Sequence, residues 1–129
     1  LTAMANSVVH NVEKDAVLIP MIDARRIEVF CSIHHKGKEI KTVHSRVLDE
    51  EPFDEFNSEN IYYFGDGAEK AQDYLNSSWI YLPEPKTSAK NLIPLAWRKF
   101  INKDFEDVAY FEPSYHKDFK GGKPKKILK

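Results

Sequence analysis

The chain has 129 residues, 42% of them hydrophobic and 30% charged, with a formal net charge of -1 and a single cysteine. Such a chain is long enough for one domain around one core, and its composition is that of a globular protein rather than a disordered one. No apolar run approaches the ~20 residues a membrane helix needs, no basic leader opens the chain, and Cys31 has no second cysteine to pair with. Cysteine use of this kind suits a reducing compartment, so a cytoplasmic location is expected.

Charge is uneven along the chain. Between His116 and Lys129 there are six lysines (Lys117, Lys120, Lys123, Lys125, Lys126 and Lys129) against one acid, Asp118. This end therefore carries +5 and the rest of the chain -6. Residues 1–119 read as one domain and 120–129 as a flexible basic tail. Such a tail can meet RNA or an acidic partner, or it can be a solvated, frayed end.

The first residue is not methionine, yet LTAMANSVV already places Leu1, Met4, Ala5, Val8 and Val9 at helical spacing. The sequence is read on that ground as a piece of a longer protein. Ala16 to Ile22 is a predicted buried strand. Ile27 to His34 is the next, with Val29, Cys31 and Ile33 on one face and Glu28, Phe30, Ser32 and His34 on the other. Between them, Asp23 to Arg26 turn the chain with charge instead of glycine. His35-Lys36-Gly37-Lys38 is a hairpin turn with glycine where a positive φ is wanted. Glu39 to Leu48 is a predicted edge strand with lysine and histidine toward water.

Asp49 to Asn60 is acidic and is expected to hold a short helix, EPFDEFN. Ile61 to Phe64 is a four-residue strand, Gly65-Asp66-Gly67 a turn, and Ala68 to Leu75 a helix. Trp79 to Leu82 is a fifth strand, closed by Pro83-Glu84-Pro85. Ser88 then caps the strongest helical pattern in the chain, in which Ala89, Leu92, Ile93, Ala96, Trp97, Phe100 and Ile101 form one apolar stripe. Pro94 should kink that helix or delay its start. Trp97 and Phe100 are expected to pack it on the sheet. Val108 to Phe111 is read as a last extended piece.

Three hairpin-joined strands followed by two strand–helix steps give an α/β fold with a mixed five-stranded sheet. Three strands are antiparallel, two are parallel, and helices flank the sheet. The order is that of the ribonuclease H-like fold, the half-unit of the actin, sugar-kinase and heat-shock ATPase superfamily. In that superfamily the first hairpin grips phosphate, which needs glycine so that backbone N–H groups can close on an anion. Here Asp23, Arg25 and Arg26 stand there.

The candidate chemistry is thin. Arg25 and Arg26 can bind a carboxylate or a phosphate, or can form an internal lock with Asp23 and Glu28. Gly65, Asp66 and Gly67 lie between a strand and a helix, where amides can meet an anion, but GDG alone marks a plain turn equally well and Asp66 repels phosphate. His34 and His35 are adjacent on a strand and cannot share a metal ion. His10, His44 and His116 are scattered, and no HExxH motif exists, so no metal is expected. Cys31 needs a neighbouring base and some exposure to act as a nucleophile, and it reads as a buried thiol. Asp49-Glu50-Glu51 reads as a solvated turn.

Three segments together resemble one family: PMIDARRIEVFCSIH, FGDGAEK and EDVAYFEPSYHKDF. The chain resembles the second, C-terminal domain of the TsaB family, also described as YeaZ-like or glycoprotease-like, and its lysine-rich end is similar to members from the Bacteroides group. The match rests on Asp23-Ala24-Arg25-Arg26-Ile27-Glu28-Val29-Phe30, on Gly65-Asp66-Gly67, and on Glu112-Pro113-Ser114-Tyr115. It covers about half of a family member, whose preceding domain has no counterpart here. The resemblance implies a non-catalytic scaffold with no cofactor. It pairs with TsaD (also called Gcp), is joined by the ATPase TsaE, and supports transfer of a threonylcarbamoyl group to adenosine of tRNA. Asp23, Arg25, Arg26 and Glu28 would line the cleft or meet a partner. Contact with tRNA would be indirect or through the basic tail.

The alternatives are a glycoprotease-like or nucleotide-hydrolysing enzyme of the same superfamily, and a ribonuclease H-like nuclease. The nuclease needs several carboxylates converging on two metals. Asp23 and Asp66 sit at strand ends, and a third is not evident. A piece of a larger protein is also expected to bare an apolar face, for example on the opening helix. Bare faces tend to pair, so a homodimer is a further expectation.

Overall fold

A computed structural model of the chain describes residues 1–50, 53 and 60–116. Its centre is strand β1 (Val17–Asp23), whose first five residues are all buried. A run that is apolar on both faces belongs in the middle of a sheet with both sides covered. Strands β2 (Glu28–His35) and β3 (Lys38–Val47) follow, then β4 (Ile61–Phe64) and β5 (Ile80–Leu82). The five strands lie in the order β3-β2-β1-β4-β5. β1 pairs antiparallel with β2 and β2 with β3, whereas β1–β4 and β4–β5 are parallel. The expected fold class and sheet therefore hold.

β1 tolerates Pro20 because the β2 ladder has a gap there, between the Leu18–His34 and Met21–Cys31 pairs. Proline has no N–H to give to a neighbouring strand. β3 is the predicted edge strand, and its register with β2 shifts around Ile33. Irregularity of that kind blunts an exposed edge. The β2–β3 turn is carried by Lys36 (φ 51°) and Gly37 (φ 71°).

Two apolar layers sandwich the sheet. On one face Ile19, Met21, Val29, Cys31, Ile33, Ile61 and Tyr63 pack with Phe53, Trp79, Ala68 and Ala71. The last two belong to helix α2 (Ala68–Ala71). On the other face Leu18, Tyr62 and Phe64 pack against Met4 and Val8. These lie on helix α1 (Thr2–Val8). Tyr62 donates its hydroxyl to Glu13 at 2.6 Å, tying the α1–β1 connection to β4.

Several expectations need correction. α2 is shorter than the predicted Ala68–Leu75 helix. It tightens to a 3₁₀ turn at Gln72–Tyr74, and Leu75 leaves in extended backbone to reach the core. Helix α3 (Ile93–Ile101) follows a 3₁₀ turn at Ala89–Leu92 capped by Ser88. Pro94 sits in its first turn, so it delays the start and does not kink the helix.

The apolar stripe of α3 does not pack on the sheet. Trp97 is 61% exposed and Phe100 58%. Both sheet faces are already covered, and it is the 3₁₀ turn at Ala89–Leu92 that packs on α1. On the side of α3 away from the stripe, Leu95 and Arg98 line a small hollow with Thr2, Ala5 and Val9. The bare apolar surface is thus on α3 and the following segment, with Phe105, Val108, Tyr110 and Phe111 exposed. It is not on α1, whose Met4, Ala5 and Val8 are buried. Residues 108–110 form a turn instead of an extended piece. Asp107 accepts the N–H groups of Tyr110 and Phe111 on its carbonyl and that of Ala109 on its carboxylate. Apart from Phe53, the predicted EPFDEFN helix lies outside the described residues, and so does the basic tail.

Candidate functional site

Strand order reverses beside β1, with β2 and β3 on one side of it and β4 and β5 on the other. In α/β sheets the crevice beyond the carboxyl ends of the strands at such a point is where ligands bind. Two turns meet there, the Asp23–Arg26 turn after β1 and the Gly65–Gly67 turn after β4. The structure thus brings together the two segments singled out in the sequence.

Their junction is made by backbone and by one lysine. The hairpin closes through Ala24 N–H to Glu28 O at 3.1 Å and Glu28 N–H to Arg25 O at 3.2 Å. Asp23 accepts the N–H of Arg25 on Oδ1 at 2.7 Å. The same oxygen accepts from the Lys70 ammonium, which also donates to the carbonyl of Arg26 at 2.9 Å. The Lys70 hydrogen bond, helped by the Arg25 N–H, holds the Asp23 carboxyl below its ordinary value.

The lock expected between Asp23 and the arginines is therefore made by Lys70. Arg25 and Arg26 are exposed, and Glu28 is half-buried opposite Val47. The sequence did contain a signal for Lys70: it follows the GDG turn by one helical step, beside the end of β1.

Gly65 and Gly67 serve packing. Gly65 has φ +102°, and a Cβ on it would lie 2.2 Å from the carbonyl oxygen of Met21. A Cβ on Gly67 would lie 2.8 Å from the carbonyl carbon of Ile22. The Gly67 N–H donates to Met21 O at 3.3 Å, and that of Ala68 to Gly65 O at 3.0 Å. The Gly67 amide and that of the first residue of α2 are thereby used inside the fold. Asp66 is exposed, and α2 is only four residues long.

Other candidate residues sit elsewhere. Cys31 is fully buried, but a base does stand beside it: His44 Nε2 is 3.5 Å from its Sγ. His44 Nδ1 is 2.8 Å from Thr42 O, which favours the tautomer whose Nε2 accepts from the thiol. His44 is half-buried, but the thiol itself has no exposure and cannot meet a substrate. His34 is 4% exposed, and its Nε2 lies 2.9 Å from Ser32 Oγ and 3.9 Å from Glu39. His35 points the other way and is half-buried. No group of three or more metal-ligating side chains occurs among the described residues. A hollow of about 480 Å³, lined by Val9, His10, Glu13 and Lys36 among others, lies at the opposite end of β1.

Burial pushes the His34 imidazole below its ordinary value of 6.5, and the Glu39 carboxylate opposes this only in part. The unfolded chain then takes up the proton first as pH falls. Stability is expected to be full above about pH 6.5 and to decline below it, until the folded imidazole also protonates. Urea midpoints measured between about pH 7.5 and pH 5.5 should show this fall, and H34Q should flatten it.

No family model matches the chain, and no curated protein matches it in sequence. Solved structures do match. One, described as an uncharacterized protein with similarity to peptidase YEAZ from Pseudomonas aeruginosa, superposes with a TM-score of 0.67 at 17% identity, covering 91% of this chain and 56% of that one. YeaZ from Pseudomonas aeruginosa gives a TM-score of 0.65 at 15% identity, covering 89% of this chain and 56% of that one. This chain thus spans little more than half the length of either neighbour. The sheet order, the flanking helices and these superpositions agree, and the chain has the YeaZ-like, that is TsaB-like, fold.

Proposed function

We propose that this chain is the second domain of a TsaB-like protein and works as a non-catalytic scaffold. Its partner would be TsaD, joined by TsaE, in the threonylcarbamoyl modification of tRNA in the cytoplasm. The observation that carries the reading is the turn after β1. Where a kinase-like module would grip phosphate with bare amides, Asp23 is tied to Lys70 and two arginines occupy the bend. The Gly65–Gly67 turn supports it, because its glycines are needed for close packing on β1. So does the exposed aromatic surface of α3, since large apolar patches belong to proteins that act by association.

The test is capture of TsaD from the same source by the full-length protein and by this chain, followed by an assay of modified tRNA. The full-length protein is expected to capture TsaD and to be required for modification. Capture by neither, with modification unaffected by loss of the protein, would reject the scaffold role.

A further inference from the structure

We propose that Arg25 and Arg26 form a two-pronged tip that docks a pair of carboxylates, set among neutral residues, on a partner protein. The proposal rests on the scaffold reading and names the partner's chemistry rather than its identity.

The backbone supplies the first argument. Arg25 (φ 70°) and Arg26 (φ 50°) are consecutive residues in left-handed backbone. Glycine and asparagine enter that region at least cost, and longer side chains rarely stay there. The β2–β3 hairpin meets a similar demand with Lys36 and Gly37, placing glycine second. A chain that needed only to turn at 25–26 would do the same. Strain that persists because its surroundings hold it is a pointer to function.

Bracing supplies the second. Lys70 binds both the Asp23 carboxylate and the Arg26 carbonyl, and Asp23 also receives the Arg25 N–H. The carboxylate that adjoins the bend is occupied, and both guanidinium groups are left exposed on a fixed backbone. A tip held in place loses less freedom on binding.

Charge selects the partner. A guanidinium matches a carboxylate with two parallel hydrogen bonds. Exposed Asp66 and Glu69 adjoin the tip, and the chain outside its basic end carries -6. Those acids repel the evenly spaced charges of a nucleic-acid backbone. A protein surface can bring two carboxylates among neutral or basic neighbours.

The experiment follows the arginine Nε–H signals by NMR while a short peptide with two adjacent glutamates among neutral residues, or polyuridine of equal length, is added at low salt. Residue-specific signals separate the tip from the lysine-rich end. The diglutamate peptide is expected to shift the Arg25 and Arg26 signals. R25N/R26G should bind at least about tenfold more weakly while its Tm rises by about 4 °C as strain is relieved. R25K/R26K, which keeps charge without the fork, should bind several-fold more weakly than the native chain. Unmoved signals, equal binding by R25N/R26G, an unchanged Tm, or a response to polyuridine at lower concentration than to the diglutamate peptide would each overturn the proposal. A diglutamate response in a protein that fails to capture TsaD would support the tip while rejecting that partner.

Discussion

Gly65→Ala is expected to destabilise the fold by about 4 kcal/mol or more, a large share of a domain's usual ~5–15 kcal/mol. The new Cβ would meet the Met21 carbonyl oxygen at 2.2 Å and the Met4 sulfur at 2.9 Å. The methionine side chain can swing aside, but the carbonyl belongs to the central strand and cannot. Relief requires the turn after β4 to lift off β1, which breaks the Gly67–Met21 hydrogen bond and loosens the seat of Lys70. Gly37→Ala is the control. It has a similar positive φ of +71° with nothing within 4 Å of the added carbon, so it should cost only about 1 kcal/mol. Urea unfolding followed by circular dichroism reads both. Equal losses would mean that backbone angle, not close approach, fixes Gly65.

Phe64→Ala should cost about 3–5 kcal/mol, the range for emptying a buried aromatic site. Phe64 is the largest fully buried side chain among the described residues and packs with Met4 and Val8, which seat α1. Trp97→Ala removes a larger ring, yet it should change stability by no more than about 0.5 kcal/mol. Trp97 stacks on Phe100 at 5.7 Å on the open side of α3, with no sheet beneath it. Comparable losses at the two positions would show that the α3 stripe is packed in solution.

That contrast also marks what the sequence could and could not tell. Local signals with a single physical solution were legible. Ile61–Phe64 is bounded by polar residues and glycine, the Lys36–Gly37 turn has glycine where φ is positive, and Val17–Met21 is apolar on both faces. With the hairpin and strand–helix connections they placed five strands along the chain, three antiparallel and two parallel; the lateral order came from the structure. The α3 periodicity was equally clear, but period reports that a stripe exists and says nothing about what lies opposite.

The candidate site was legible in part for the same reason. The two turns stood out one at a time, as a charged bend and a glycine pair. Their union depends on Lys70 reaching from α2 to Asp23 across 47 positions of sequence. An arginine beside Asp23 was the nearer guess for its partner, yet the side-chain hydrogen bond comes from Lys70 and the Arg25 guanidinium adds only its charge at a distance, both arginines staying exposed. The burial of His34 escaped notice because alternation along β2 shows which side it faces, not that α1 and α3 cover that side.

Nucleotide titration tests the central claim most directly. The account holds that the turns after β1 and β4 pack against each other and do not close around phosphate. Calorimetry with ATP or ADP and magnesium should give no binding heat up to millimolar nucleotide, and the amide signals of Gly65, Asp66 and Gly67 should stay in place. Micromolar binding, with those amides and Arg25 shifting together, would contradict it.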